Sequence, residues 1–234
     1  NEGYWTPYGE MFDIGIATSS AIDRFQVGIT PEQCGGRSEM DNGNGALMRI
    51  SPLVVLLAQD FYVDRLVSLT KRFAGVTHAH ARSHLACMYY LVLLLQLFHG
   101  KTRESAYEAT NEIIGLIAKR KPYDAQRETL SRILQGEIAG IPKKAVRSTG
   151  YVVDSLEAAL WCFFQHDNYR DTVLEAVNLG GDTDTIAFIT GTIAGLHYGM
   201  EQIPPEWLDA LAERKRLENA CNVFCRRMAV PAKQ

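Results

Sequence analysis

Residues 186–200, IAFITGTIAGLHYGM, contain no Asp, Glu, Lys or Arg, and GGDTDT stands directly before them. A run of fifteen residues falls short of the ~20 a membrane span needs, yet it is too apolar to lie in water. It reads as a buried helix. Ile186, Ile189, Ile193 and Leu196 recur at three-and-four spacing, and Ala187, Gly191, Ala194 and Gly195 permit close packing. Such a helix needs other helices to cover it, and the same spacing recurs over 45–60, 62–73, 80–99, 102–119, 124–136, 153–165, 169–178 and 206–227. Breakers fall between these segments, among them Pro31, Gly100, Pro122, Pro142, Gly150, Gly180-Gly181 and Pro204-Pro205. No run alternates strictly enough to read as a strand. With 234 residues, 47% of them hydrophobic and 22% charged, the chain is long enough to bury a large core. The expectation is an all-α fold, one compact multi-helix domain over residues 1–234, with helices at 87–99 and 185–198 innermost.

The net charge of −3 argues against broad binding to nucleic acid or to a membrane surface. Cys34, Cys87, Cys162, Cys221 and Cys225 form neither a disulfide framework nor a zinc pattern. Cys221 and Cys225, one helical turn apart, read as half-buried thiols, and a cytoplasmic location is expected. The first fifteen residues show neither the basic nor the apolar run of a secretion signal. With Trp5, Tyr8, Phe12 and Ile14 among glycines and a proline, they read as a packed loop leading into a helix. The most apolar stretch, YYLVLLLQLF at 89–98, reads as a central core helix.

Chemistry concentrates in a few places. In GGDTDT, Gly180 and Gly181 allow a sharp turn and the close approach of a ligand, while Asp182, Asp184 and Thr185 open the buried helix. Two readings stay open. The carboxylates cap the helix, where free amides and the positive dipole end favour them; or they bind a hard cation such as Mg²⁺ or Mn²⁺, which takes oxygen donors. One carboxylate is enough for a cap, and a half-buried second one requires a compensating charge. Asn42-Gly43-Asn44-Gly45 exposes backbone amides at a helix start, as a phosphate cradle does and as an ordinary helix cap does too. His78, His80 and His84 suit metal binding or loop capping, and Tyr151 suits stacking on a sugar or base, or core packing.

Taken in order, FDIGIAT, NGNGALMRISPL, THAHARSH, GYVVDSLEAALW and GGDTDTIAFITGTIAGLHYG resemble the ADP-ribosylglycohydrolases, the family of dinitrogenase-reductase-activating glycohydrolase, over nearly the whole chain. The resemblance implies an all-α metal-dependent hydrolase with a dinuclear Mg²⁺ or Mn²⁺ centre, cleaving the glycosidic bond of an ADP-ribosylated protein or a small ADP-ribosyl compound. It implies Asp182, Asp184 and Thr185 as metal ligands and Asp13 facing the distal ribose. Asn42, Gly43, Asn44 and Gly45 would hold the diphosphate-ribose moiety, Gly181 would lie against the ligand, and His78 and Tyr151 would flank it. No general acid or base is assigned to any residue.

Two departures stand out. The family's Thr-Asp-Asp motif and an upstream acidic residue are absent from these 234 residues, so the domain is expected to be truncated at its N-terminus. Ile16 stands where the family often has asparagine. Two octahedral cations need about a dozen oxygen ligands, so these residues alone are expected to hold one metal at most, weakly. The alternatives are a catalytically silent ADP-ribose-binding or interaction module of the same fold, and a helical protein in which GGDTDT is only a cap.

Overall fold

The computed structural model describes residues 6, 9–11 and 13–228. Trp5, Tyr8 and Phe12 of the expected packed loop lie outside these; of the loop that is described, Met11, Asp13 and Gly15 are exposed. The helices in chain order are α1 (Ile16–Gln26), α2 (Pro31–Cys34), α3 (Gly45–Ile50), α4 (Leu53–Gln59), α5 (Val63–Ala74), α6 (Ala81–Phe98) and α7 (Arg103–Ile117). They continue with α8 (Ser131–Leu134), α9 (Val152–Gln165), α10 (Tyr169–Val177), α11 (Thr183–Tyr198), α12 (Pro205–Asp209) and α13 (Arg214–Arg227). Extended pairing among the described residues is limited to two isolated bridges, Gly36 with His78 and Gly43 with Tyr151. The all-α expectation holds.

The core forms around α6, whose residues 83–95 are all buried, Tyr89 and Tyr90 included. By length and apolarity α6 passes for a membrane span, but 78% of it is buried inside the molecule, which identifies it as the central strut of the core. The other inner helix is α9, not α11 as the uncharged run suggests. Residues 152–163 are buried without a gap, whereas α11 buries the stripe Thr185, Ile186, Ile189, Thr190, Ile193 and Ala194 and leaves Phe188 exposed. Lack of charge made α11 look central, but a helix can be uncharged and still show one face. Conversely, α9 takes two carboxylates into the interior. Asp154 is held by Arg147 at 2.8 Å and by the Thr149 hydroxyl at 2.8 Å, and Glu157 is held by Arg132 at 3.3 Å. Burial pushes the Glu157 carboxyl up, and Arg132 opposes this.

Three expected helices are divided. The 45–60 segment breaks after Ile50 because Pro52 has no N–H to continue the ladder, and three-residue turns bridge the gap through Val54 N–H to Ser51 O at 3.0 Å. The 124–136 segment is a 3₁₀ helix, Asp124–Leu130, that widens into α8. The 206–227 segment breaks at Glu213, which sits at φ 55°. Beyond that break α13 has no buried residue, so Cys221 and Cys225 are exposed and not half-buried, while Cys34, Cys87 and Cys162 are buried.

α10 and α11 pack along each other and α11 packs on α9; α3 touches α6, α9 and α11. The start of α3, the start of α9 and the start of α11 therefore meet at one end of the bundle, and the motif residues lie there.

Candidate functional site

Gly180 and Gly181 take φ +73° and +63°, the left-handed region that glycine enters without steric cost. Gly181 has a second reason to lack a side chain, since a Cβ there would run into the Ser148 carbonyl oxygen. That carbonyl accepts the Asp182 N–H at 3.3 Å, and the Ser148 hydroxyl donates to Gly180 O. The loop before α9 thus clamps the turn before α11.

Asp182 occupies the N-cap position, yet its side chain makes no capping hydrogen bond. Its Oδ2 accepts instead from Asn44 Nδ2 at 2.6 Å, a short charge-assisted bond. Asp184 is exposed and accepts the Thr185 N–H on Oδ1 at 2.9 Å. Thr185 is buried, its hydroxyl directed at the Met48 sulfur 3.6 Å away. The capping account therefore covers one oxygen of Asp184 and none of Asp182.

Asn42 and Asn44 are buried, and both side chains are committed within the fold. Asn42 donates to Glu39 O at 3.0 Å and accepts from the Ser83 hydroxyl at 2.9 Å. Asn44 Nδ2 spends its two hydrogens on Asp182 and on Ser155 Oγ, 2.8 Å away. Even the Asn44 amide is used, donating to Gly150 O at 3.0 Å, while Val152 N–H donates to Asn42 O at 2.9 Å. Any grip on a diphosphate from this loop falls to the backbone of Gly43 and Gly45.

Those two glycines face His78. A Cβ on Gly43 would lie 3.3 Å from His78 Nε2, and one on Gly45 would lie 3.2 Å from Cε1. His78 is 2% exposed and its Nδ1 is 2.6 Å from Thr77 Oγ1. Arg49 donates to that same hydroxyl. The Thr77 proton is then free to go to Nδ1, which assigns the ring hydrogen to Nε2, toward the glycine turn. Burial first, then Arg49, lowers the His78 pKa to about 4, and burial, Lys71 and Arg37 do the same for His84. Both rings should therefore stay neutral at pH 5.5. Long-range proton–nitrogen NMR spectra checks this, and midpoints near 6.5 would contradict it. Since the folded pKa lies below the unfolded one, this contribution to stability is complete above about pH 6.5 and is lost as pH falls toward 4.

Tyr151 is the N-cap residue of α9, paired with Gly43 through the backbone bridge. The Arg82 guanidinium lies 5.8 Å from its ring centroid; burial raises its pKa, with Arg82 opposing. His80 caps α6, accepting the Arg82 N–H on Nδ1 at 3.2 Å. Asp13 stands apart: it is exposed, ahead of α1, with no hydrogen bond to this cluster among the described residues. α1 does reach the site, since Thr18 Oγ1 lies 3.9 Å from where a Gly45 Cβ would be. Ile16, the first residue of α1, is 87% exposed.

The fold therefore brings Asp182, Asp184, Thr185, Gly181, residues 42–45, His78 and Tyr151 together. Sequence reasoning missed Ser148, Thr77 and Ser155, the hydroxyls that lock these loops. RSTG before the α9 motif and the Thr preceding His78 were the available signals. Among the described residues, no group of three His, Cys, Asp or Glu side chains converges as a metal cluster. Two carboxylates and a hydroxyl supply oxygen chemistry suited to one hard divalent cation, with fewer donors than its octahedral shell takes.

Comparison with known proteins identifies the family. The family model for ADP-ribosylglycohydrolase matches residues 1–233, and the chain belongs to that family. It is 32% identical to the ADP-ribosylarginine hydrolase Tri1 of Serratia proteamaculans, over 90% of this chain and 54% of that protein. It is 29% identical to the ADP-ribosyl dinitrogen reductase glycohydrolase of Rhodospirillum rubrum, over 74% and 52%. The chain spans about half the length of these curated relatives. A solved structure titled ADP-ribosylglycohydrolase-related protein complex superimposes with a TM-score of 0.74 at 31% identity, over 92% of this chain and 70% of that one.

Proposed function

We propose that this chain belongs to an ADP-ribosyl hydrolase, cleaving the glycosidic bond between a distal ribose and its acceptor in an ADP-ribosylated protein or small ADP-ribosyl compound. The observation that carries the reading is Asp182: a half-buried carboxylate at a helix N-terminus that does not cap, held by Asn44 beside an exposed Asp184. Family membership and the names of the relatives support the same chemistry. Asp182, Asp184 and Thr185 are the residues that would hold Mg²⁺ or Mn²⁺. A bound divalent cation supplies Lewis-acid stabilisation of negative charge.

The remaining roles belong to this chain's own side chains. Gly43 and Gly45 give the diphosphate a surface without side chains, His78 offers a neutral N–H from below it, and the Tyr151 ring closes one flank. A glycosidic cleavage passes through an oxocarbenium-like state, which a site bearing two carboxylates favours electrostatically. The test is release of ADP-ribose from an ADP-ribosylated arginine substrate by the full chain with Mg²⁺ or Mn²⁺ and with chelator. Cation-dependent release is the expected result. Tight ADP-ribose binding with no turnover would make the protein a binding module, and neither binding nor turnover would refute the assignment.

A further inference from the structure

A second polar concavity lies behind the His78 segment. It is a cleft of about 480 Å³ between α2, residues 35–37, the last turns of α5 and the first turn of α6. The segment 75–80 separates it from the site described above. His78 faces Gly43 and Gly45, while Gly75 and Ala79 line the cleft, and Gly36 pins the segment by exchanging backbone hydrogen bonds with Thr77 and Ala79 at 3.1 and 2.8 Å.

Glu32, Arg37, Ser68, Lys71, Arg72 and His84 carry the polar chemistry of this cleft. Arg37, Lys71 and Arg72 have neither an ion pair nor a hydrogen bond to their side chains among the described residues. Lys71 and Arg72 sit in the last turn of α5, where the helix dipole welcomes cations. The dipole does not account for Arg37, which comes from another segment. Nor does it account for His84, which is 7% exposed and has a buried Nε2 with no hydrogen-bond partner among the described residues. That nitrogen lies 3.6 Å from where a Gly75 Cβ would stand, so the absent side chain leaves it facing the cleft wall.

We propose that this cleft binds a phosphoryl group, held by Arg37, Lys71 and Arg72 with the Ser68 hydroxyl, over the ring of His84. Three positive groups against the single carboxylate of Glu32 leave a surplus that matches a dianion, and guanidinium forks suit tetrahedral oxyanions. Burial, Lys71 and Arg37 hold the His84 ring neutral, so it lines the cleft without adding charge. The inference is independent of the ADP-ribosyl hydrolase reading.

Titration calorimetry of the full chain with inorganic phosphate and with AMP, in low-salt buffer, tests it. Saturable binding of phosphate is expected, weakened about tenfold or more in the Arg37→Ser/Lys71→Ser double variant, whose substitutions are at exposed positions. The His84 ring proton signal should move during the same titration. AMP competing with phosphate and binding more tightly identifies a nucleotide monoester as the ligand, and equal affinity identifies the phosphoryl group alone; both uphold the site. No saturable phosphate binding at about 10 mM, or unchanged phosphate affinity in the double variant, would overturn it.

Discussion

Replacing Asp184 by alanine should lower kcat/KM for ADP-ribose release about 100-fold or more while leaving the fold intact. The side chain is exposed and its one intramolecular hydrogen bond is to the next residue's amide, so its removal frees a single amide in the first turn of α11. The melting temperature should move by about 2 °C or less. Calorimetry with Mn²⁺ should show weaker cation binding in the same variant. Asp182→Ala provides the contrast, because it strips Asn44 of its carboxylate partner and should cost stability as well as activity. A variant at Asp184 with full activity would end the assignment of that carboxylate to cation binding.

The second large effect is on folding. Gly181→Ala should destabilise the protein by about 2–4 kcal/mol, lowering the melting temperature by about 5–10 °C. At φ +63° an L-residue is strained, and the added Cβ is driven into the Ser148 carbonyl, which cannot swing aside because it also receives the Asp182 amide. Gly180→Ala isolates the two causes. Its φ is +73°, but open space surrounds the position, so only the conformational cost of about 1 kcal/mol is expected. Equal losses in the two variants would show that the Ser148 contact carries no weight.

Fold class was legible because helical spacing is local and the breakers between segments are glycine and proline. The interior was less so. The uncharged α11 lies partly at the surface, while α9, carrying Asp154 and Glu157, lies inside. The carboxylates are tolerated there because Arg147 reaches one from a loop and Arg132 the other from α8, positions that sequence spacing does not reveal. At the site, the motif residues were identified by type, but their commitments were not. Asn44 read as part of a phosphate cradle, and its side chain also forms a strut to Asp182, 138 positions away. A hydrogen bond between such distant residues depends on how three helix starts converge, which no local pattern encodes. The division of α12 from α13 at Glu213 likewise had no glycine or proline to announce it.

That strut couples an early loop to a late one. A ligand lodged between them would hold both loops at once, and opening one of them alone would break its contacts with the other. Its binding energy would therefore be added to the unfolding free energy of the whole body, in proportion to the logarithm of concentration over Kd. Thermal shift would then serve as a direct way to rank candidate small molecules for this protein before any turnover is measured.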